Sequence, residues 1–478
     1  MEKPIKNEAI TSRDQDFAQW YTDVCKKAEL MDYSSIKGFI IYRPYGYAIW
    51  EQIQQYLDQR FKATGHENVY MPMVIPQSLF NKEKEHVEGF APETLTATFG
   101  GKEKLEDPLI IRPTSEVLFC EHYAKIINSY RDLPKKYNQW CSVVRWEKTT
   151  RPFLRGAEFL WQEGHTVHET EQEARFETLQ MLKIYQMLGE ELLAIPFLTG
   201  KKTDKEKFAG AKETYAVEAL MHDGKSLQSG TSHYFGTGFA EAFGIQFQNR
   251  QNQLQPVHQT SWGVSTRLIG SLIMVHGDDN GLILPPRVAP VQVVIVPIMM
   301  QKPGVLTQAK ALLATLSEAG IRVRLDETDN SPGWKYAEAE MKGIPLRIEV
   351  GPRDIEQQQA VLVKRNDKTK IVVPFQDLVA TTQTTLALIQ KELLAKAKEH
   401  LTNNIREVDS LDALIQTLNT HGGYVKVSVD DQEDVEQIVK EKAQATARVI
   451  PFDQVGLKPV CAITGRPAKR IVYFARAY

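Results

Sequence analysis

RWEKTTRPFLRGAEFLWQEGHT, residues 145–166, decides how the rest of the chain is read. It opens with the extended run Arg145-Trp146-Glu147, passes through a basic loop that turns at Pro152, and returns as a strand rich in Phe, Leu and Trp. Two β-prone runs around a turn predict an antiparallel hairpin. Arg145 and Arg155 stand on either side of the turn. Guanidinium groups on a rigid sheet suit a polyphosphate, because each offers a planar, permanently charged fork of donors. Phe153, Phe159 and Trp161 offer flat faces on which a base can stack. A half-buried hairpin with merely solvated arginines fits this segment equally well, so the choice rests on what surrounds it.

Upstream, VYMPMVIP is an extended run punctuated by Met71-Pro72, and IIRPTSE (residues 110–116) sets Thr114 and Glu116 at the start of a helix. A Thr in that position serves equally as an ordinary N-cap. Downstream, QSGTSHYF (residues 228–235) is a small-residue turn carrying Gln228, Thr231 and His233. Residues 261–290 then place Gly263 before Ser265, Thr266 and Arg267 and a helix over residues 268–276. A Gly that lets backbone approach a nucleotide, followed by an Arg in the first helical turn, suits phosphate and base binding.

Composition excludes several classes. A chain of 478 residues is too long for one core and implies two or three domains. Hydrophobic and charged contents of 42% and 25% are those of an ordinary globular protein. A net charge of −2 supplies no global field for nucleic acid, so any RNA contact must come from local basic patches. The four cysteines (Cys25, Cys120, Cys141, Cys461) form no close pair, which argues against a disulfide framework or a Cys-x-x-Cys zinc site. The N-terminal residues lack the apolar core of a signal peptide, and the apolar run at residues 291–300 is too short to span a bilayer. These features predict a cytoplasmic, reduced protein without a membrane segment.

The texture changes near Pro290. Before it, aromatic strands alternate with helices, including an amphipathic helix over residues 47–61. After it, VQVVIVPI, a helix over residues 306–319, IRVRL, a helix around residues 335–341 and a strand at 346–350 give a β-α-β-α-β order, which implies an α/β domain. A long helix over residues 375–402 leads to a third region, with a strand (YVKVSV), an acidic helix and a short terminal strand. The expected domains are residues 1–289, 290–402 and 403–478.

With these segments in order, the chain resembles the class II aminoacyl-tRNA synthetases. RWE with its loop is similar to motif 2, residues 263–267 with the following helix to motif 3, and the residue 47–61 helix with the strand ending at Met71-Pro72 to motif 1, the dimer-forming element. More narrowly, RPTSE, RWE, EFLWQEGH, GTSH, PPRVAP, GWKYAEAEMKGIPLR and VGPRD resemble prolyl-tRNA synthetases of the archaeal and eukaryote-like type, over nearly the whole chain. The resemblance implies an α+β fold: an antiparallel-sheet catalytic domain, an α/β anticodon-binding domain and a small α+β C-terminal domain. It also implies a homodimer, and no editing insertion fits between Thr166 and Gly263.

The implied chemistry is attack of the proline carboxylate on the α-phosphate of ATP, which needs positioning and charge stabilisation more than a side-chain base. By resemblance, Arg145 holds the α-phosphate and the amino-acid carboxylate, Arg155 the β- and γ-phosphates, and Arg267 lies over the adenine opposite Phe159. Glu147 accepts from the adenine amino group, and Gly156, Thr231 and Ser265 complete the ATP site. Gln228, with a carboxylate, helps to place Mg²⁺, which keeps several waters. For proline, Glu116 supplies the counter-charge and Thr114 a neutral acceptor. Phe90, Trp161 and His233 wall the ring, with Glu163 and His165 behind them. His165-x-x-His168-Glu169 does not match the His-Glu-x-x-His spacing, and Gly236-x-Gly238 lacks the third glycine of a dinucleotide loop.

In the second domain, Lys335, Glu340, Lys342 and Arg347 are the residues implied to read the proline tRNA anticodon, where Arg and a carboxylate suit two adjacent guanines. Individually each also fits a solvated helix face with ordinary charge pairs. The C-terminal domain of this type binds zinc through four cysteines, but here only Cys461 remains, so no zinc is expected. The terminal Ala477-Tyr478 matches the family, whose final tyrosine reaches towards the active site. A sister synthetase for another small amino acid, and an inactive tRNA-binding paralogue, are the two competing readings.

Overall fold

A computed structural model describes residues 10–86 and 93–478. Among the described residues the largest sheet has seven strands: β1 (Glu67–Asn68), β2 (Lys135–Val144), β3 (Glu158–His168), β4 (Leu198–Lys201), β5 (Glu213–Leu220), β6 (Ser226–Gly236) and β7 (His258–Ser265), in the order β1-β2-β3-β7-β6-β5-β4. All neighbours are antiparallel except β1 and β2. The hairpin expected at residues 145–166 is the β2–β3 pair. Its first strand stops at Val144, so Arg145-Trp146-Glu147 lies just beyond the sheet rather than in it. Arg145 N–H still donates to Ala157 O, but Trp146 N–H turns away to Glu93 O, which ends the ladder. The turn is a tight loop in which Arg151 and Arg155 exchange backbone hydrogen bonds.

Helices pack against the sheet. α1 (Pro44–Ala63) starts with Pro in its first turn, as a helix N-terminus favours, and buries Ile49, Trp50, Ile53, Leu57 and Phe61 at three- and four-residue spacing. α2 (Glu116–Ile126) follows the RPTS turn, α3 (Glu171–Met187) follows a Thr170–Glu173 capping box, and α4 (Arg267–His276) is almost wholly buried. Trp262 of β7 lies flat on Gly164 of the neighbouring strand, where a Cβ would come within 2.1 Å of the indole. A side chain at residue 164 would therefore displace the indole from the core.

The second sheet is α/β: β8 (Val293–Pro297), β9 (Val323–Leu325), β10 (Leu346–Val350), β11 (Gln359–Lys364) and β12 (Lys370–Pro374), ordered β9-β8-β10-β11-β12 with the first three parallel. Helices α5 (Val305–Glu318) and α6 (Pro332–Met341) make the crossovers, and α7 (Leu378–Asn403) runs on to the third body. That helix begins after a 3-10 turn at Phe375–Asp377, three residues later than its pattern implies. The third sheet, β13 (Ile405–Val408), β14 (Tyr424–Val429), β15 (Thr446–Val449) and β16 (Arg470–Ala475), has the order β13-β14-β16-β15. The expected strand, acidic helix and terminal strand are β14, Asp434–Ala443 and β16. The four-residue strands β13 and β15 and the helix Leu411–Thr420 complete this body.

The three bodies are tied by charge. Arg365, at the end of β11, forks onto Asp278 just beyond α4, at 2.6 and 2.9 Å. Lys342 bridges Glu29 and Glu338. Between the first and third bodies, Glu218 of β5 receives Lys202 and Arg448. Among the described residues no helix is long and apolar enough to cross a membrane.

Candidate active site

Register across three strands assembles the site. His165 of β3 pairs with Ser261 of β7, which pairs with His233 of β6; in the next row stand Glu163, Gly263 and Thr231; Trp161 pairs with Ser265. Because side chains two residues apart share a face, these rows present one surface, the floor of a cavity of about 290 Å³. Thr114, Glu116, Arg145, Phe159, Gln228 and Arg267 close its sides. Of the residues singled out for ATP and the amino acid, these and Trp161, Glu163, His165, His233, Thr231 and Ser265 converge on this one cavity.

Four do not. Arg155 and Gly156 line a smaller adjoining cleft of about 50 Å³, joined to the main cavity through the shared Phe159 ring. Glu147 sits outside both, its carboxylate 3.9 Å from Arg155 Nε. Phe90 lies outside the described residues. Two expectations of detail need correction. Phe153 is buried against Tyr42 and offers no face for a base, because the tight turn folds it inward. Gly263 lines the cavity as expected for a backbone open to a ligand, and it also leaves room for the Gln162 carbonyl oxygen, 2.9 Å from where its Cβ would stand. The N-cap of α2 is Ser115; the Thr114 hydroxyl instead donates to Glu116.

The cavity carries guanidiniums and buried carboxylates on the same walls, and Glu116 and Glu163 are the main charges that favour the Arg145 cation. The Arg145 guanidinium lies 5.5 and 5.3 Å from the Phe159 and Trp161 ring centroids and donates through Nε to Pro113 O. Arg267 donates to Leu154 O and Gln228 O, which fixes the guanidinium across the cavity. Burial, reinforced by the charges of Arg145 and Arg155, brings Arg267 down to about 10. A buried guanidinium pushed down by its cationic neighbours marks a site that an anion relieves. Glu116 is buried, with Ser261 Oγ 3.4 Å away. Glu163 accepts from Gln139 Nε2 at 2.6 Å and Ser115 N–H at 3.1 Å, with His165 Nε2 at 2.9 Å. Burial alone would raise that carboxyl, but His165, Ser115 and Gln139 outweigh it and hold it far below its ordinary range. Burial conversely pushes His233 down to about 3, leaving a neutral ring held by Thr214 Oγ1.

Gln139, Thr214, Ser261, Glu206 and Phe208 belong to this setting and sequence reasoning missed them. Gln139 and Ser261 face Glu163 and His165 across strand pairs, a relation that register sets and the strand period does not. Glu206 and Phe208 sit in a connection that carries no such period. His168 points away from the cavity, with its Nε2 2.8 Å from Thr166 Oγ1.

The anticodon candidates form a separate cluster. Lys335 is buried, donating to Asp326 O; Arg347 is buried over the Tyr336 ring at 4.0 Å and paired with Glu349. Glu340 is 3.2 Å from Lys368, while Lys342 is engaged with Glu29 across the domain boundary.

An antiparallel sheet that gathers arginines and buried carboxylates on one cavity fits the core of a class II aminoacyl-tRNA synthetase. Residues 98–276 match the family model described as tRNA synthetase class II core domain (G, H, P, S and T), residues 292–385 an anticodon binding domain, and residues 411–478 the C-terminal domain of prolyl-tRNA synthetase. Full-length relatives are similarly specific: proteins named proline–tRNA ligase from Ruminiclostridium cellulolyticum and Lachnoclostridium phytofermentans are 60% and 58% identical, and proline–tRNA ligase 2 of Bacillus cereus is 56% identical. Each alignment covers 98% of this chain and 98–99% of the relative. The chain belongs to the proline–tRNA ligase family.

Proposed function

We infer that the chain activates L-proline with ATP, releasing pyrophosphate, and transfers the prolyl group to the 3′ end of proline tRNA. The observation that carries this reading is that one cavity gathers the guanidiniums of Arg145 and Arg267 with the buried Glu116 and Thr114. A compact ring with a secondary ammonium fits beside Glu116, between Trp161 and His233. Its carboxylate then lies towards Arg145, where the α-phosphate is also held. Attack on phosphorus builds charge on the phosphoryl oxygens, and preorganised guanidiniums stabilise it without reorganisation. Arg155, on the adjoining cleft, is positioned for the β- and γ-phosphates. The Phe159 ring and Arg267 are the adenine's two faces, and Glu147 accepts from its amino group.

Gln228, with the Glu206 carboxylate on the same cavity, offers the hard oxygen donors that suit Mg²⁺; bound with ATP it would neutralise phosphate charge. Zinc fits poorly around Cys461. Cys461 is buried, and the nearby Asp430 is already taken by Arg466 Nε at 2.9 Å and Thr464 Oγ1 at 2.5 Å, so a guanidinium stands where a metal would need free ligands. The chain is read as the archaeal and eukaryote-like type without an editing insertion, a reading supported by α3, β4, β5 and β6 all lying in the segment between β3 and β7. It is read as a cytoplasmic homodimer, consistent with Tyr70, Met73 and Phe99, each at least half exposed beside the motif 1 elements. Proline-dependent ATP–pyrophosphate exchange tests the activity. Arg145→Ala should lower its turnover by roughly 10²–10³, the scale of losing one preorganised donor. Near-normal exchange in that variant, or faster exchange with another small amino acid, would overturn the reading.

A further inference from the structure

Cys141 stands on β2 directly opposite Trp161 on β3. No motif singles it out, and it lies behind the cavity wall rather than in it. Its sulfur nevertheless makes two directional contacts. The Trp161 indole N–H donates to Sγ at 3.3 Å, and the thiol is directed at Glu163 Oε1 at 3.6 Å. Among the described residues, Sγ is the acceptor that reaches the indole N–H. A cysteine paired across a sheet with a tryptophan ordinarily does no more than fill space. Here the sulfur instead links the aromatic wall of the cavity to the carboxylate that also receives Gln139, Ser115 and His165.

The ring contacts with Arg145 and Phe159 are less directional than the bond at the indole nitrogen. Arg145 covers one side of the ring and Phe159 meets it edge-on at 5.8 Å, and neither contact sets how deep the indole lies. A hydrogen bond at the indole nitrogen does. Burial, with Glu163 adding to it, keeps the Cys141 thiol protonated, so the sulfur has both a proton to give and lone pairs to accept.

We propose that Cys141 is a positioning residue for amino-acid selection, holding the Trp161 indole at the depth that fits a five-membered ring by accepting its N–H while donating to Glu163. The proposal rests on Trp161 being a wall of the proline site. It deepens that reading by naming what fixes the wall. Shape discrimination by an apolar pocket is worth only about 1–3 kcal/mol per methylene, so a wall that wanders forfeits much of the preference for proline over alanine.

The test compares Cys141→Ala, Cys141→Ser, Trp161→Phe and Trp161→Ala in pyrophosphate exchange, with proline and then alanine as substrate. Cys141→Ala should raise the KM for proline by about threefold to tenfold, the scale of one lost hydrogen bond, and narrow the proline-over-alanine ratio. The KM for ATP should stay within about twofold, because the phosphate-binding arginines are untouched. Cys141→Ser, whose hydroxyl both donates and accepts, should recover most of the loss. Trp161→Phe should match Cys141→Ala, and the double variant should be no worse than either. An unchanged proline KM in Cys141→Ala would overturn the proposal, as would Cys141→Ser being equally impaired. Trp161→Ala separates the two levels. A large rise in its proline KM alongside a normal Cys141→Ala discards the positioning role alone, whereas a normal proline KM in Trp161→Ala discards the wall itself.

Discussion

Replacing Glu218 by Gln should destabilise the protein more than removing either of its cationic partners. Glu218 has no exposed surface, and it accepts from Lys202 Nζ at 2.6 Å, Arg448 Nη2 at 2.9 Å and Ser226 Oγ at 2.7 Å. Lys202 and Arg448 are themselves buried, so this junction between the first and third bodies holds two cations and one anion. Removing one partner of a buried pair costs about 3–5 kcal/mol, because the other charge stays buried and uncompensated. Glu218→Gln leaves two such charges and belongs at the upper end. Arg448→Met leaves a neutral Lys202–Glu218 pair and should cost no more than about 3 kcal/mol, the loss of charged hydrogen bonds. At about 2 °C per kcal/mol for a body of this size, Glu218→Gln should lower the melting temperature by about 6–10 °C. Calorimetry at pH 7 reads this directly. The pH dependence gives an independent check. Burial would raise the Glu218 carboxyl, but Lys202 and Arg448 outweigh it and hold it below its ordinary value. A carboxyl depressed in the folded state contributes stability above its unfolded pKa, near 4.5, and loses it as pH falls through the folded value. The gap between wild type and Glu218→Gln should therefore narrow in acid. A Glu218→Gln protein melting within 2 °C of wild type at pH 7, or less stable Arg448→Met, would refute the reasoning.

Three further outcomes are expected. Glu340→Gln should weaken aminoacylation of proline tRNA by about 1–3 kcal/mol while leaving pyrophosphate exchange near normal, and equal losses in both assays would place the residue outside anticodon reading. A strong chelator should leave the melting temperature unchanged and elemental analysis should find no stoichiometric zinc, whereas Arg466→Ala should loosen the C-terminal domain in hydrogen exchange by freeing Asp430 and Asp434. Deleting Tyr478 should reduce activation, since its hydroxyl donates to Asp223 at 2.6 Å and its ring lies near Arg151 of the β2–β3 loop; unaltered exchange kinetics would count against that role.

The β2–β3 hairpin was legible because its cues are local: two β-prone runs, a proline turn and arginines at fixed offsets. So were α1, with its three- and four-residue apolar spacing, and the β-α-β-α-β rhythm after Pro290. Period alone also placed Trp161, Glu163 and His165 on one face. What it does not contain is register. Which residue of β7 stands beside Glu163, about a hundred positions away in the chain, depends on pairing energies summed over whole strands, and only the folded sheet shows it to be Gly263. The same reason hid Ser261 and Thr214, which lie beside recognised residues on neighbouring strands.

The sequence by itself determined the family, the order of the domains and the chemical types gathered for activation, because long motifs and short-range periodicity are properties of contiguous residues. Tertiary structure alone decided that Arg267 crosses to Leu154 and Gln228, that Arg155 occupies a second cleft, that Phe153 turns inward, and that Lys342 is engaged across a domain boundary. It alone brought Glu218, Lys202 and Arg448 together, and set Cys141 behind Trp161. Each of these depends on which distant surfaces bury one another. Burial converts an ordinary charge or thiol into a group that must find its partner, and that partner is fixed by packing rather than by neighbours in the chain.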